Sequence, residues 1–200
     1  MPAGKTHDRI TLYAALPLSA LAGTVAMWLN NPVVTVLAIA GHLFSGFMFG
    51  PDLDCRSDPY YRWRWLRYIW IPYRNLIPRH RSVLSHGFAI GTTLRVAYLF
   101  TIVAMITMGY FVIASAWATR SDLNLVSKAQ DWQTLLQVLE FVAGNAIAAW
   151  LKWLTWIKDG LVAHPVEAIA LWVGLEIGAM SHYLADAIVS GWNRGLKKKK

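Results

Sequence analysis

Between Arg9 and Asp52 the chain runs 42 residues, Ile10 to Pro51, without one Asp, Glu, Lys or Arg. A water-facing domain cannot be built from such a run, whereas the hydrocarbon core of a bilayer, ~30 Å thick, takes about 20 apolar residues per helical crossing. The run is therefore two crossings, divided at Asn30-Asn31-Pro32. Asn-Pro initiates turns, and proline fits the first turn of a new helix. A helical hairpin over 11–29 and 33–50 follows. The N-terminus also has the outline of a signal peptide, with Lys5 and Arg9 ahead of an apolar stretch and Ala20-Leu21-Ala22 as a small-residue site. The apolar run continues well past that site, so the segment is expected to be retained.

Composition points the same way. Of 200 residues, 56% are hydrophobic and only 15% charged, against roughly a quarter charged in soluble domains. A disordered chain or a protein devoted to nucleic acid is excluded. Val96 to Thr119 is a further charge-free stretch and forms the third expected span, 96–119. Residues 134–158 are Trp-rich, but Lys152 and Lys158 leave only Phe141 to Leu151 free of charge. That is too short to cross unaided, so an interfacial or re-entrant helix is expected. The fourth expected span is 161–190, which carries Glu167, Glu176, His182 and Asp186. The predicted fold class is all-α: a polytopic membrane helical bundle of about four transmembrane helices, a single domain over 1–200 with a basic loop at 51–95.

The net charge of +8 is accounted for by topology. Under the four-span reading, 15 of the 19 Lys and Arg residues fall on the side shared by the N-terminus, the loop 51–95 and the C-terminus. Basic residues collect in cytoplasmic loops, so both termini are expected in the cytoplasm. The aromatic and basic string Tyr60 to Tyr73 is read as an interfacial element that sets Trp and Tyr at headgroup depth and Arg62, Arg64 and Arg67 on anionic lipid. Stacking on nucleic acid is the weaker alternative. Lys197 to Lys200 reads as a topological anchor.

The residues able to carry chemistry converge on that same side. His7 and Asp8 precede the first span, Asp52 and Asp54 follow the second, His80 and His86 lie in the basic loop, and His182 with Asp186 approaches the end of the fourth. His182 and Asp186 are four apart, on one helix face. Two carboxylates as near as Asp52 and Asp54 repel unless a cation or an arginine lies between them. Imidazole and carboxylate together suit a divalent metal such as Zn or Mn, and more than four donors permit one or two ions, the arrangement that clamps a phosphoester. Each piece also has a plain structural reading: a solvated N-terminus for His7 and Asp8, pairing with arginines for the aspartates, and a phosphate-binding patch for His80 between Arg79 and Arg81. An ionisable Asp186 in a span is harder to dismiss, because such groups are costly and mostly paired or functional. His42, near mid-span, reads as a hydrogen-bonded core histidine and His164 as interfacial. Glu176 needs a buried partner but stands about 120° from His182 around the helix. Cys55 reads as structural, with a ligand role as the alternative. As the lone cysteine it excludes an internal disulfide.

The strings GKTHDRIT (4–11), MFGPDLD (48–54), RHRSVLSHG (79–87) and SHYLAD (181–186) resemble an uncharacterised membrane family of metal-binding proteins found mostly in photosynthetic bacteria. That family is in turn similar to membrane-bound metal-dependent hydrolases. The resemblance implies a metal set of His7, Asp52, Asp54, His80, His86 and Asp186, with His182 beside it, and a metal-dependent hydrolase of a phosphoester or lipid-linked substrate in which Arg79 and Arg81 neutralise substrate charge. The alternative is a metal-binding, sensing or transport protein without turnover. One departure is visible: His80 and His86 are six apart, where the hydrolase pattern has five and a Thr before the second His.

Overall fold

The computed structural model describes residues 4–77, 79–80, 82–119 and 132–197, and every regular element among them is helical. The long helices are α1 (Gly4–Trp28), α2 (Val33–Phe47), α6 (Ile90–Ala118), α7 (Trp132–Ala163) and α8 (Pro165–Lys197). Between α2 and α6 lie a 3-10 turn, Pro51–Asp54, then α3 (Asp58–Arg62), a second 3-10 turn, Arg64–Ile69, α4 (Trp70–Leu76) and α5 (Val83–His86). The chain divides into two compact units, Met1–Tyr98 with His164–Lys200, and Leu99–Ala163. Helix α6 belongs to the first unit up to Tyr98 and to the second beyond it.

In the first unit, α1 and α2 form the expected hairpin. Asn30 takes the left-handed conformation, φ 50°, and Asn31 N–H closes onto Ala26 O at 2.9 Å, which terminates α1 in the manner that Asn and Gly tolerate best. The Asn31 side chain then does two jobs. Its Oδ1 accepts from Val33 N–H at 3.2 Å, and its Nδ2 donates to Glu167 Oε1 at 2.9 Å, so the turn is tied to the start of α8. The pairs Ala26 with Val34 and Thr11 with His42 make α1 and α2 antiparallel. His42 is fully buried and donates through Nε2 to Thr11 O at 2.9 Å, the core role expected of it.

Helix α8 lies parallel to α2. A Cβ at Gly174 would stand 2.1 Å from Ala38 O, and one at Gly178 2.4 Å from His42 O. Both partners advance by four, and only glycine permits backbones this near, the small-xxx-small packing of membrane helices. Parallel α8 on antiparallel α1–α2 has one geometric consequence. The start of α1, the end of α2 and the His182 turn of α8 all reach the same end of the unit.

That end is closed by the loop 51–95, which departs from a flat interfacial helix. Trp70 and Tyr73 are buried with Phe49 and Leu53, and Trp70 packs edge-on to Phe49 and Trp63 at 5.7 and 5.2 Å. Trp65 and Tyr68 remain exposed. Arg62 Nη1 and Trp63 Nε1 donate to Phe47 O and Met48 O at 2.9 and 2.8 Å, satisfying carbonyls that the end of α2 would otherwise leave open. Arg62 thus caps α2 and pairs with Asp8 at 2.7 Å.

Among the described residues, four helical segments are long and apolar enough to cross a membrane: Thr6–Trp28, Val33–Asp54, Ile90–Ala118 and Leu135–Ala163. Two differences from the expected spans stand out. The helix over 96–119 begins at Ile90, because Arg95, read as a boundary charge, is 1% exposed and donates to Ser85 O and Thr92 Oγ1 at 2.8 and 2.9 Å. The segment 134–158 belongs to a helix long enough to qualify, with Lys152 and Lys158 exposed on it. Helix α8 carries most of the fourth expected span, 161–190, and its side chains beyond Leu184 lie outside the described residues. In the second unit Trp150 Nε1 donates to Ala104 O at 3.0 Å, and Trp153 stacks on Phe100.

Candidate metal centre

Asp52 sits in the 3-10 turn that follows α2 because Gly50-Pro51 breaks the helix there, and its side chain points back under the bundle. It is 8% exposed. His182 Nε2 reaches Asp52 Oδ2 at 2.9 Å from α8, and His86 Nε2 stands 3.5 Å from Oδ1. The His7 ring, from the first turns of α1, stacks on His182 with centroids 3.8 Å apart. A second group adjoins. His80 Nδ1 meets Asp54 Oδ1 at 2.8 Å, and the His80 ring stands edge-on to His86 at 5.1 Å. Asp52, Asp54, Cys55 and His80 each offer a ligand atom within 4.8 Å of the others.

Six sequence-predicted residues, His7, Asp52, Asp54, His80, His86 and His182, thus come together from α1, the 3-10 turn, the loop before α5, α5 and α8. Asp186 lies on α8 one turn beyond His182, with its side chain outside the described residues. Arg81 also lies outside them. Arg79 is exposed, and its backbone carbonyl accepts from Ser82 N–H at 3.2 Å.

The fit to a cation can be judged from the buried polar atoms. Asp52 Oδ1 and His86 Nε2 face each other, and neither has a hydrogen-bond partner. Ser85 Oγ lies 3.4 Å from Ser82 O, to which it donates, and 2.9 Å from His86 Nδ1. A His86 that donates through Nδ1–H to Ser85 Oγ would present its Nε2 lone pair to a cation held by Asp52. The bond made at one ring nitrogen sets what the other offers. Two donors each about 2.1 Å from a shared ion stand about 3.0 Å apart at a right angle and about 3.4 Å at a tetrahedral one. The 2.9 Å between His182 and Asp52 is also a hydrogen-bond length, but the unpaired Asp52 Oδ1 and His86 Nε2, 3.5 Å apart, have the spacing of two donors to one ion, so the residues present fit a divalent metal.

Two further residues contribute, Cys55 in the ligand role given above as its alternative and Arg95, which the sequence did not single out. Cys55, read as structural, donates to Asp52 O at 3.3 Å and joins the outer donor group. Burial, then the charges of Asp52 and Asp54, push its thiol up to about 12, so at neutral pH the thiol keeps its proton until a cation competes for the sulfur. The spacing Asp-x-Asp-Cys was the available signal. The other is Arg95, whose bond to Ser85 O holds the turn that carries His86. Glu176 supports the same turn by accepting from Ala89 N–H at 3.0 Å, which secures Ala89 at φ 61°, a region costly for a residue with a Cβ.

With the geometry established, known proteins provide a comparison. The family model described as Uncharacterized metal-binding protein (DUF2227) matches residues 2–196. Over 60 residues, 30% of this chain, the sequence is 37% identical to an uncharacterized protein of Aquifex aeolicus (strain VF5). The matched stretch spans 41% of that relative's length. No solved structure matches the chain.

Proposed function

Because the chain belongs to this family of uncharacterized metal-binding proteins, we propose that it is an integral membrane metalloprotein whose metal serves hydrolysis of a phosphoester or lipid-linked substrate at the cytoplasmic face. The observation that carries the reading is Asp52, a buried carboxylate between two histidines, with one oxygen and the facing imidazole nitrogen left unpaired. The proposed ligands are His7, Asp52, Asp54, His80, His86, His182 and Asp186, joined by Cys55. Imidazole, carboxylate and one thiol favour Zn over Mn, and the inner and outer groups sharing Asp52 have room for one or two ions. When bound, such a cation supplies Lewis acidity toward a phosphoryl oxygen and toward water. The protein's part is to orient. Asp52 aligns His86 and His182, Asp54 holds His80 by Nδ1 and leaves its Nε2 free to ligate, and Arg79 and Arg81 on either side of His80 are the proposed counter-charges for substrate.

A membrane setting is supported by the apolar side chains turned outward, among them Leu16, Ile113 and Val162, each at least 70% exposed. In water such faces would be an association liability. On the four spans expected from the sequence, 15 of 19 basic residues fall on one side, which supports a cytoplasmic location for both termini. Reporter fusions at either end are expected to be active only inside, and an external Lys200 would reject the orientation.

A second reading is favoured by the thiol. A closed set of Asp52, Asp54, Cys55 and His80 has the character of a site that holds metal without turnover, as storage or sensing requires. Elemental analysis of the purified protein, followed by phosphatase and phosphodiesterase assays with added Zn or Mn, separates the possibilities. Stoichiometric metal with turnover is the expected result. Metal without turnover selects the second reading, and absence of bound metal rejects both.

A further inference from the structure

The loop that closes the bundle holds a second feature, which the metal centre does not use. Starting two residues past Asp54, a cavity of about 510 Å³ is lined chiefly by Arg56, Arg67, Arg74, Tyr60, Tyr61 and Tyr68. No carboxylate is among its described lining residues. Three guanidinium groups facing one cavity repel one another, and nothing on its walls cancels them. Aromatic faces hold two of them in place instead. Arg67 lies over Tyr61 and Tyr68 at 5.6 and 5.2 Å, and Arg74 over Tyr60 at 5.2 Å. Cation–π contact fixes a guanidinium without removing its charge. Arg74 Nε is buried and has no hydrogen-bond partner. Neighbouring Arg62 shows the contrast, since its charge is taken up by Asp8 at 2.7 Å.

We propose that this cavity binds the phosphate group of an anionic ligand, either a soluble phosphomonoester or the headgroup of an acidic phospholipid. A phosphate dianion brings the charge that three arginines lack and oxygens matched to the guanidinium fork. The volume exceeds that of phosphate alone and lies in the range of small-molecule pockets, so the tyrosine rings and Ile71 are left to receive the organic remainder. The assignment does not rest on the metal reading, because none of these arginines is a proposed ligand.

The test uses the full chain in dodecyl maltoside, stripped of metal with EDTA, so that failure of the metal proposal does not affect it. Calorimetry with inorganic phosphate and glycerol 3-phosphate is one arm. Titration with micelles carrying phosphatidic acid, against phosphatidylcholine, is the other. Saturable binding in either arm is expected, the first identifying a soluble ligand and the second, alone, a headgroup. Arg67→Gln and Arg74→Gln should each weaken it tenfold or more, while Arg9→Gln, at an exposed arginine of α1 outside the cavity, changes it less than twofold. Circular dichroism checks the fold of each variant. Should Arg74→Gln not fold, the exposed Arg56→Gln takes its place. Absence of saturable binding in both arms, or an equal loss in Arg9→Gln, overturns the proposal.

Discussion

Asp52→Ala protein is expected to emerge from purification with less than about a tenth of the metal held by the wild-type chain. Loss of a group that only orients a ligand typically costs 10–100-fold in affinity, and Asp52 stands between two imidazoles, His182 at 2.9 Å and His86 at 3.5 Å, so its removal is placed at or beyond the upper end. The substitution also leaves two buried histidines facing no carboxylate, each 8% exposed or less. Asp186→Ala should lower metal content to a similar degree, because Asp186 follows His182 by one turn of α8 and is proposed for the same site. Elemental analysis of both variants, with circular dichroism to confirm folding, makes the comparison. An Asp52→Ala protein that retains full metal content would remove the centre described here. Full retention in Asp186→Ala alone would take that residue out of the ligand set.

The second large effect is expected from a methyl group. Gly174→Ala places a Cβ 2.1 Å from Ala38 O, and the obstacle is backbone on the facing helix, not a side chain that can rotate away. Helices α2 and α8 must part or slide, an overpacking cost of roughly 1–3 kcal/mol or more. The damage reaches the metal centre, because the register of α8 on α2 sets where His182 meets Asp52. A fall of ten degrees or more in the thermal midpoint in detergent, together with loss of metal, is the expected outcome. Gly23→Ala is the control. Nothing lies within 4 Å of a Cβ there, so replacing a helical glycine should be neutral or stabilise by up to about 1 kcal/mol. Equal tolerance of the two substitutions would contradict the close approach of α2 and α8.

Local signals decided much of this protein before any fold was seen. The charge-free run from Ile10 to Pro51 and the Asn30-Asn31-Pro32 break suffice for the α1–α2 hairpin, because both chain polarity and turn preference act over a few residues. Counting spans also brought His7, Asp52 and His182 to one side, since topology follows from how many times a chain crosses. Tertiary packing decided the rest. Which imidazole meets which carboxylate depends on the rotation and register of α8 against α2, set by the Gly174 and Gly178 contacts. The Asp52–His182 pair spans 130 residues, too far for any periodicity to report. Arg95 looked like the edge of a span because an unpaired charge belongs in water. Its burial follows only from Ser85 O and Thr92 Oγ1 being at hand. Trp70, Tyr73 and Arg62 read as an interfacial string for the same reason. A sequence shows that a side chain is amphipathic, but whether its apolar face meets lipid or protein depends on what the rest of the chain places beside it.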